Sequence, residues 1–320
     1  MSNKYNDVGQ YGWLALSQSA TGASPGSTYF VNSASGNAAN TTDSGQGSSW
    51  DAPFATANYA VSRCVANAGD TIFLAAGHTE TITATGTASG TTTGVFVIDK
   101  AAVSIIGLGT GTRRPTFTFN GADTATIDIL TAASNVTIKN ILCIGGIVDL
   151  GSLIEVAAGS DGLLIEDCEF RDGGTDILEV VDMIQLAANA DDVTIRGCKF
   201  ASTAAGSGTL TAIDVVGAIL RLTIEDCTAV GDWNTSVVEN SAAKATDVLI
   251  RNNHFNNLDA AAGLCINLHS TTTGIVFGNY MHGGLNGTSP LATTAALAAE
   301  NYYTNAEAAS AALLTPATDS

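Results

Sequence analysis

The stretch Leu163-Leu-Ile-Glu-Asp-Cys-Glu-Phe170 returns twice in closely similar form, as Val193-Thr-Ile-Arg-Gly-Cys-Lys-Phe200 and as Leu222-Thr-Ile-Glu-Asp-Cys-Thr-Ala229. Looser copies begin at Val103, Val136, Val248 and Ile275, so the pattern occurs seven times at intervals of 26 to 33 residues. Self-similarity at such a period is typical of stacked repeats, in which each unit buries its apolar side chains against its neighbours. The pattern therefore predicts a solenoid.

A second short segment lies upstream of each copy, and it alternates apolar and other side chains with the period of a strand. These partner segments are Phe96–Ile98, Ile127–Ile129, Ile154–Val156, Ile184–Leu186, Ile213–Val215, Val238–Asn240 and Ile266–Leu268. Each main segment begins five to eight positions after the end of its partner, which is too short for a crossover helix. We therefore predict the rungs of a parallel β-helix, with regular rungs from about residue 95 to 282.

The residue after each main strand is Gly, Asn or Asp, namely Gly107, Asn140, Asp167, Gly197, Asp226, Asn252 and Asn279. These residue types adopt left-handed backbone at the least cost, so the column predicts one corner conformation in every rung. The next column, expected to point inwards, contains Ile141, Cys168, Cys198, Cys227, Asn253 and Tyr280. Its cysteines are interpreted as a stack of buried thiols, with a disulfide between rungs as the alternative that their spacing allows.

The charge of the chain excludes two classes of partner. Acidic residues outnumber basic residues by 30 to 12, and the net charge is −18. Nucleic acids and anionic membranes are bound mainly through Lys and Arg, so we expect no nucleic acid and no membrane as partner. Residues 1–20 contain no basic start followed by an apolar run, and the sequence has no apolar run of about 18 residues. We interpret the chain as made in the cytoplasm without a signal peptide.

Three regions are predicted along the chain. Residues 1–28 form an N-terminal arm, which either is disordered or orders on a neighbouring subunit with Trp13 as its anchor. Residues 29–285 form the β-helix, with an amphipathic capping helix over about 51–68 that begins at Asp51. Residues 286–320 form a low-complexity tail with a short Ala-rich helix over 291–300, and Tyr302 and Tyr303 are candidate interface residues.

The N-terminal part of the chain resembles a known superfamily. Tyr29-Phe-Val-Asn32, Trp50-Asp-Ala-Pro-Phe-Ala-Thr56 and Gly69-Asp-Thr-Ile-Phe-Leu-Ala-Ala-Gly77 resemble the first residues of pectate-lyase-like parallel β-helix proteins, and with the rungs the resemblance covers roughly residues 29–285. It implies an all-β fold, a right-handed single-stranded parallel β-helix (solenoid) with an N-terminal capping α-helix. The superfamily contains lyases, hydrolases, and the tailspikes and inert virion proteins of bacteriophages, so the resemblance leaves function open.

Two outward-facing columns carry charge. The main strands present Lys139, Glu166, Arg196, Glu225 and Arg251, whose signs alternate from rung to rung. With rungs about 4.8 Å apart, each neighbouring pair attracts, so we interpret this column as structural. The partner strands present Asp128, Glu155, Gln185, Asp214, Glu239 and Asn267, in which like charges are neighbours. Their repulsion has to be relieved by water, cations, a raised pKa or basic groups of another chain.

The acidic column has two interpretations. As a catalytic site, Asp128, Glu155, Asp214 and Glu239 would supply the acid and the base or nucleophile of a glycosidase. As a structural feature, the column is a solvated acidic face that binds no cofactor, or Ca²⁺ through its oxygen atoms. Trp233 is the only tryptophan of the rungs, no Lys or Arg stands in the column, and the rungs are close to minimal length. These observations favour the structural interpretation.

The resulting hypothesis is a non-enzymatic bacteriophage virion protein, most simply a capsid decoration or cement protein on the head surface. Its expected partners are other copies of the chain in a homotrimer and virion proteins such as the major capsid protein, and its expected location is the virion. The alternative is a tailspike or tail-fibre protein that binds or depolymerises a host surface polysaccharide. In that alternative the acidic column would contact the glycan.

Overall fold

Each rung adds one strand to each of three parallel sheets, which we name A, B and C. The computed structural model describes residues 26–36, 47–90, 92–174, 179–202, 209–240, 242–259, 263–283, 289–304 and 315–316. Within these residues sheets A and B contain ten strands each and sheet C contains eight. The strands stack in parallel, except that Thr315–Pro316 is antiparallel to Tyr302–Thr304. The predicted parallel β-helix is confirmed.

The main strands of the repeat form sheet A, the strands after the corner form sheet B, and the partner strands form sheet C. Sheet A contains Thr28–Val31, Thr71–Leu74, Ser104–Gly107, Thr137–Lys139, Leu164–Glu166, Thr194–Arg196, Thr223–Glu225, Val248–Arg251, Gly274–Phe277 and Leu297–Ala299. Sheet B contains Thr79–Ile82, Thr116–Phe119, Leu142–Gly145, Glu169–Arg171, Lys199–Ala201, Thr228–Gly231, His254–Asn257, Tyr280–His282, Tyr302–Thr304 and Thr315–Pro316. Sheet C contains Phe96–Ile98, Ile127–Ile129, Leu150–Val156, Val180–Leu186, Thr211–Val215, Ser236–Asn240, Leu264–Leu268 and Leu291–Ala292. A small fourth sheet pairs Ile219–Leu220 with Ala245–Thr246, and a 3-10 helix covers Gly111–Arg113.

The core is the shared interior of the coil. Ile165, Ile195 and Ile224 are neighbours in sheet A and are fully buried. Burying one isoleucine side chain contributes about 2 kcal/mol, so the column stabilises each rung through contacts with the rungs on both sides. In sheet B, Phe170 and Phe200 stack with ring centroids 5.1 Å apart. Vertical neighbours therefore hold the interior together, as the repeat predicts.

The corners between sheets A and B have the predicted left-handed backbone at Asn140, Asp167, Gly197, Asp226 and Asn252. The prediction is wrong at both ends of the column. Gly107 ends a strand and the positive φ falls on Gly109, whereas Gly278, not Asn279, forms the last corner. The cause at the C-terminal end is a shift of one residue, because Val276 pairs with Ile250 and Ile275 faces outwards. Tyr280 consequently faces outwards as well, and Asn279 takes the inward position.

The inward column beside these corners is polar and hydrogen-bonded. All six cysteines of the chain are free and buried, so the cysteines are thiols and not disulfides. Each thiol of the stack points to the carbonyl oxygen of the previous rung, as in the contact of 3.6 Å from Cys227 Sγ to Ile195 O. Asn253 donates in the same way to Ile224 O at 3.0 Å, and Asn279 donates to Ile250 O at 2.9 Å. Thiols and amides therefore donate to the same backbone carbonyl position in different rungs.

The N-terminal helix α1 is shorter than predicted. It covers Ala57–Arg63 rather than about 51–68, and Thr56, not Asp51, is its N-cap, with its hydroxyl accepting from Tyr59 N at 3.3 Å. The reason is that Phe54 forms a bridge with Val31 in extended conformation, so the helix cannot begin before it. The helix packs against the first strands of sheets A and C. Among the described residues no helix is long and apolar enough to cross a membrane.

The β-helix continues beyond its predicted last rung. Leu291–Ala292, Leu297–Ala299 and Tyr302–Thr304 each pair in parallel with the rung before them. The predicted end of the regular rungs at residue 282 is therefore too early, and the short helix predicted over 291–300 is wrong. The strands of this last rung are only two or three residues long, and three of their eight residues are alanine, which hides the repeat in the sequence. Residues 1–25, including Trp13, lie outside the described residues.

Candidate functional site

The acidic column lies on the outer side of sheet C, where the sequence places it. In the parallel register of sheet C each member of the column is the direct neighbour of the next. The order along the sheet is Asp128, Glu155, Gln185, Asp214, Glu239 and Asn267. Each of these residues stands between two inward-facing residues of its strand, which are all apolar except Asn240, and burial of those neighbours turns its side chain outwards. The structure thus brings all the predicted members of the column into one line.

A further carboxylate, Asp182, belongs to the site and was not predicted. Its strand, Val180–Leu186, is longer than the predicted partner segment, and Asp182 pairs in register with Ser152 and Thr211. The Asp182 carboxylate accepts a hydrogen bond of 3.2 Å from the Gln185 amide, three residues later on the strand. Two rungs on, Ser236 and Glu239 form a hydrogen bond with the same spacing but the opposite direction, since the Ser236 hydroxyl donates to Glu239 at 2.9 Å. A second polar column therefore runs alongside the acidic one.

The carboxylates fall into two groups because Gln185 separates them. Asp128 and Glu155 form the N-terminal group. Asp182, Asp214 and Glu239 form the C-terminal group, which we name the acidic cluster. The four predicted site residues are therefore not a single constellation, and only Asp214 and Glu239 are neighbours of the buried Asp182.

Burial and mutual repulsion shift the acidic cluster towards its protonated form. Burial, followed by repulsion from Asp182 and Glu239, raises the pKa of Asp214 to about 7. Burial also raises the pKa of Asp182 to about 6, against the lowering effect of hydrogen bonds from Gln185 and Thr211. In the N-terminal group, burial raises the pKa of Asp128 to about 6, although the Gly86 N–H donates to its carboxylate at 2.8 Å. Proton uptake is therefore one way in which the like charges are relieved.

Glu239 is held by neutral hydrogen-bond donors. The Asn267 amide donates to its two oxygens at 3.1 and 3.0 Å, and the Ser236 hydroxyl donates at 2.9 Å. The acidic cluster thus joins one carboxyl group that carries a proton near neutral pH, Asp214, to a carboxylate held in a fixed orientation. Chemically, this arrangement can donate a proton and accept hydrogen bonds.

The surroundings of the acidic cluster offer little for cofactor or sugar binding. Among the described residues no group of three or more His, Cys, Asp or Glu side chains is arranged to hold a metal ion, and Ca²⁺ on this face stays a prediction. Trp233, the only tryptophan of the rungs, is fully buried and cannot serve as a sugar platform. Aromatic rings reach the surface away from the acidic cluster, for example on sheet B, where Tyr280 stacks on Tyr302 with centroids 5.4 Å apart.

The predicted charge ladder on sheet A is confirmed. Lys139 contacts Glu166 at 2.7 Å, and Arg196 contacts the other oxygen of Glu166 at 2.7 Å. Glu225 continues the ladder, 3.8 Å from Arg196 and 2.6 Å from Arg251. Beyond Arg251 the outer face of sheet A becomes apolar. Phe277 follows Arg251 in the column of the ladder, and Ile275 and Leu297 follow one another in the neighbouring outward column. This change was not predicted, because the repeat pattern that begins at Ile275 puts Phe277 in the interior.

Comparison with known proteins gives distant structural neighbours. No protein-family model matches the chain, and no curated protein matches it. A rhamnogalacturonan lyase superposes with a TM-score of 0.46 at 15% identity, over 86% of this chain and 87% of that chain. A GH136 lacto-N-biosidase from Eubacterium ramulus superposes with a TM-score of 0.43 at 12% identity, over 85% of this chain and 58% of that chain. These values describe a distant likeness, from which neither a substrate nor a reaction follows for this chain.

Proposed function

We propose that this protein is a non-enzymatic structural subunit of a bacteriophage particle, a homotrimer that decorates the capsid and binds the major capsid protein. The observation that carries the proposal is the apolar outer surface of the last two rungs. We name it the terminal patch, and its members are Ile275, Phe277, Tyr280, Leu297 and Tyr302. The virion setting rests on the resemblance described above, since virion proteins of bacteriophages share this superfamily.

The terminal patch has the character of a protein interface. Ile275, Tyr280 and Leu297 are 44%, 50% and 57% exposed, which is unusual for large apolar side chains that lie next to one another. Ile275 and Leu297 are direct neighbours in sheet A, and Tyr280 and Tyr302 are direct neighbours in sheet B. Aromatic and large aliphatic side chains are characteristic of the buried centres of interfaces. Tyr302 was predicted as an interface residue, whereas the side chain of Tyr303 lies outside the described part of the structure.

Other copies of the same chain are the proposed occupants of the patch. Every copy carries a net charge of −18, so copies repel one another over most of their surfaces. None of the five members of the terminal patch is a carboxylate, and the one acidic residue in the chain between them is Glu300, at the exposed corner after Leu297–Ala299. Like-charged copies therefore approach one another at the lowest electrostatic cost through this patch, where burial of apolar area also favours association.

The experiment is a measurement of mass in solution by light scattering. We expect a trimer for the wild-type chain and a monomer for the double variant Ile275→Lys and Leu297→Lys, because two buried cations would oppose association. Val230→Lys is the matched control, since Val230 is also a 50% exposed apolar residue of an outer face but lies outside the patch. A monomeric wild type, or a double variant that stays trimeric, overturns the proposed trimer.

Capsid decoration has its own test. The copy number of the protein in purified particles, measured by gel densitometry against the major capsid protein, should be in the range of the head proteins. A copy number equal to that of tail proteins would contradict decoration and favour a tailspike or fibre.

A second candidate function is hydrolysis of a surface polysaccharide. The observation in its favour is the pKa of Asp214, raised to about 7 beside Glu239, since a carboxyl group protonated near neutral pH is what a general acid requires. Asp128 and Glu155 would then act only in binding. The test is incubation with capsular and pectic polymers, with Asp214→Asn as the comparison. Cleavage by the wild type that is lost in Asp214→Asn would establish the enzyme, and binding without cleavage would indicate a glycan-binding fibre protein.

A further inference from the structure

A cavity of about 400 Å³ lies at the corner between sheets A and B, on a different face from the acidic cluster. Its lining includes Thr110, Arg114, Lys139, Asp167 and Lys199, together with the corner glycine Gly197. The corner residues leave room here because Gly197 has no side chain and the Asp167 backbone is left-handed. The cavity is therefore a product of the repeated corner conformation.

The charge of this cavity contrasts with that of the whole chain. Three of the 12 basic residues line it, against one carboxylate, in a protein whose net charge is −18. Two glutamates neutralise part of this positive charge, since Lys139 contacts Glu166 at 2.7 Å and Arg114 contacts Glu169 at 3.0 Å. Lys139 also lies 3.4 Å from Asp167. Glu166 is also bound by Arg196, and Glu169 is also bound by Arg171. Cationic groups therefore still outnumber anionic groups around the cavity, so it should attract an anion.

Two donors of the cavity are not used by the rest of the described chain. The Nε–H of Arg114 is buried and has no hydrogen-bond partner among the described residues, although Nη1 of the same guanidinium is bound to Glu169. Lys199 is exposed, and within the described ranges its ammonium forms no ion pair. A buried guanidinium donor is nearly always satisfied in native proteins, so this one needs a partner that the described chain does not supply, namely water, an ion or a ligand.

We propose that this corner cavity binds a tetrahedral oxyanion, phosphate or sulfate. Lys139 and Lys199 line it from strands of sheets A and B, Arg114 lines it from the end of the 3-10 helix, and Thr110 adds a hydroxyl. Donors arranged around a centre suit an anion with oxygen atoms in four directions better than a planar carboxylate, which accepts along one edge. The volume suits a free ion with water or one phosphorylated or sulfated sugar unit, because cavities of about 300–1,000 Å³ hold small molecules.

The test is isothermal titration calorimetry of the full chain in a dilute chloride buffer, with inorganic phosphate, inorganic sulfate and acetate as separate ligands. We expect saturable binding of one phosphate or one sulfate ion per chain. The anion that binds with the lower dissociation constant is the one that the cavity is built to bind. Lys199→Gln should weaken this binding about tenfold, the usual scale for loss of one charge-assisted contact. Lys244→Gln is the matched control, because it removes the same charge at an exposed position outside the cavity and should leave binding unchanged.

Three results would overturn the proposal. One is the absence of saturable phosphate or sulfate binding by the wild type. Another is an equal loss in Lys199→Gln and Lys244→Gln, which would indicate general ionic attraction. The third is acetate binding as tight as that of the tetrahedral anions. Arg114→Gln should abolish anion binding, and circular dichroism shows whether this variant folds. If it does not fold, the comparison of Lys199→Gln with Lys244→Gln still tests the proposed site.

Discussion

Sheets A and C place charged side chains at the same vertical spacing, but they relieve the charges in opposite ways. On sheet A the signs alternate, and each carboxylate of the ladder is bound by cations from two neighbouring rungs, as Glu166 is by Lys139 and Arg196. On sheet C the neighbours have the same sign, and the relief comes from protonation of Asp214 and from amide donors such as Asn267. One backbone geometry therefore supports two kinds of electrostatic surface.

The composition of a column, not the geometry of the rung, therefore decides how the stability of the fold depends on pH. A carboxylate between two cations is more stable when it is charged. A carboxyl group between two carboxylates is more stable when it carries a proton. The ladder on sheet A also resists a slip by one rung, since a slip would bring like charges together, whereas sheet C offers no such protection.

The largest effect should come from reversing one charge inside the ladder. The variant Glu225→Lys would place a new ammonium group between Arg196 and Arg251, so that three cations follow one another in the column. Because the Glu225 side chain is only 10% exposed, the new ammonium would be both repelled and poorly hydrated. We expect a loss of about 3 kcal/mol in the free energy of unfolding, measured by urea denaturation.

The control for this variant is Asp192→Lys, which makes the same change of charge at an exposed ion pair with Arg221. Exposed ion pairs contribute little to stability because water and salt screen them, so this variant should lose less than about a third as much. Equal losses in the two variants would show that the ladder on sheet A has no special role.

A smaller effect with a defined pH dependence should follow from neutralising Asp214. Its pKa is about 7 in the folded chain and about 4 in an unfolded chain, so between these values the folded state binds more protons. The wild type should therefore lose stability as the pH rises from about 4 to about 7. Asp214→Asn removes this loss and should be more stable than the wild type by about 2 kcal/mol at pH 8, after allowance for solvent screening.

The measurement is urea denaturation of the two chains between pH 4 and pH 8, and the quantity of interest is the difference between their free energies of unfolding. That difference should grow with pH and level off above about pH 7. A difference that is constant over this range would mean that Asp214 is ionised throughout, and the acidic cluster would then be an ordinary solvated surface.

The fold and most of the columns could be predicted from the sequence because the repeat is strict in the middle of the chain. Apolar residues at fixed intervals identify Ile165, Ile195 and Ile224 as one stack, and Asp167 and Asn252 identify the corners. Once the register is known, the outward columns follow by counting. The charge ladder and the acidic column were obtained in this way.

The features that the sequence analysis missed depend on local departures from the repeat. Gly274 stands where the other copies have an apolar residue, and Ile275-Val-Phe277 reads as a strand in either register, so the terminal patch was hidden. Asp182 lies upstream of the predicted partner segment, on a strand of seven residues. The corner cavity depends on the conformation of long side chains such as that of Arg114, which the spacing of residues in the sequence does not predict.

The smallest effect, and the one that tests the comparison most directly, should come from Glu166→Gln. Hydrogen bonds from Lys139, followed by those from Arg196, lower the pKa of Glu166, so this carboxylate stabilises the fold above its unfolded pKa of about 4.3 and the contribution is lost as the pH falls. Relative to the wild type, and after allowance for solvent screening, Glu166→Gln should lose about 1 kcal/mol at pH 7, and this loss should shrink as the pH falls below about 4. The difference curves of Glu166→Gln and Asp214→Asn should therefore have opposite signs. Curves of the same sign would contradict the view that neighbouring charges, rather than burial alone, distinguish the two sheets.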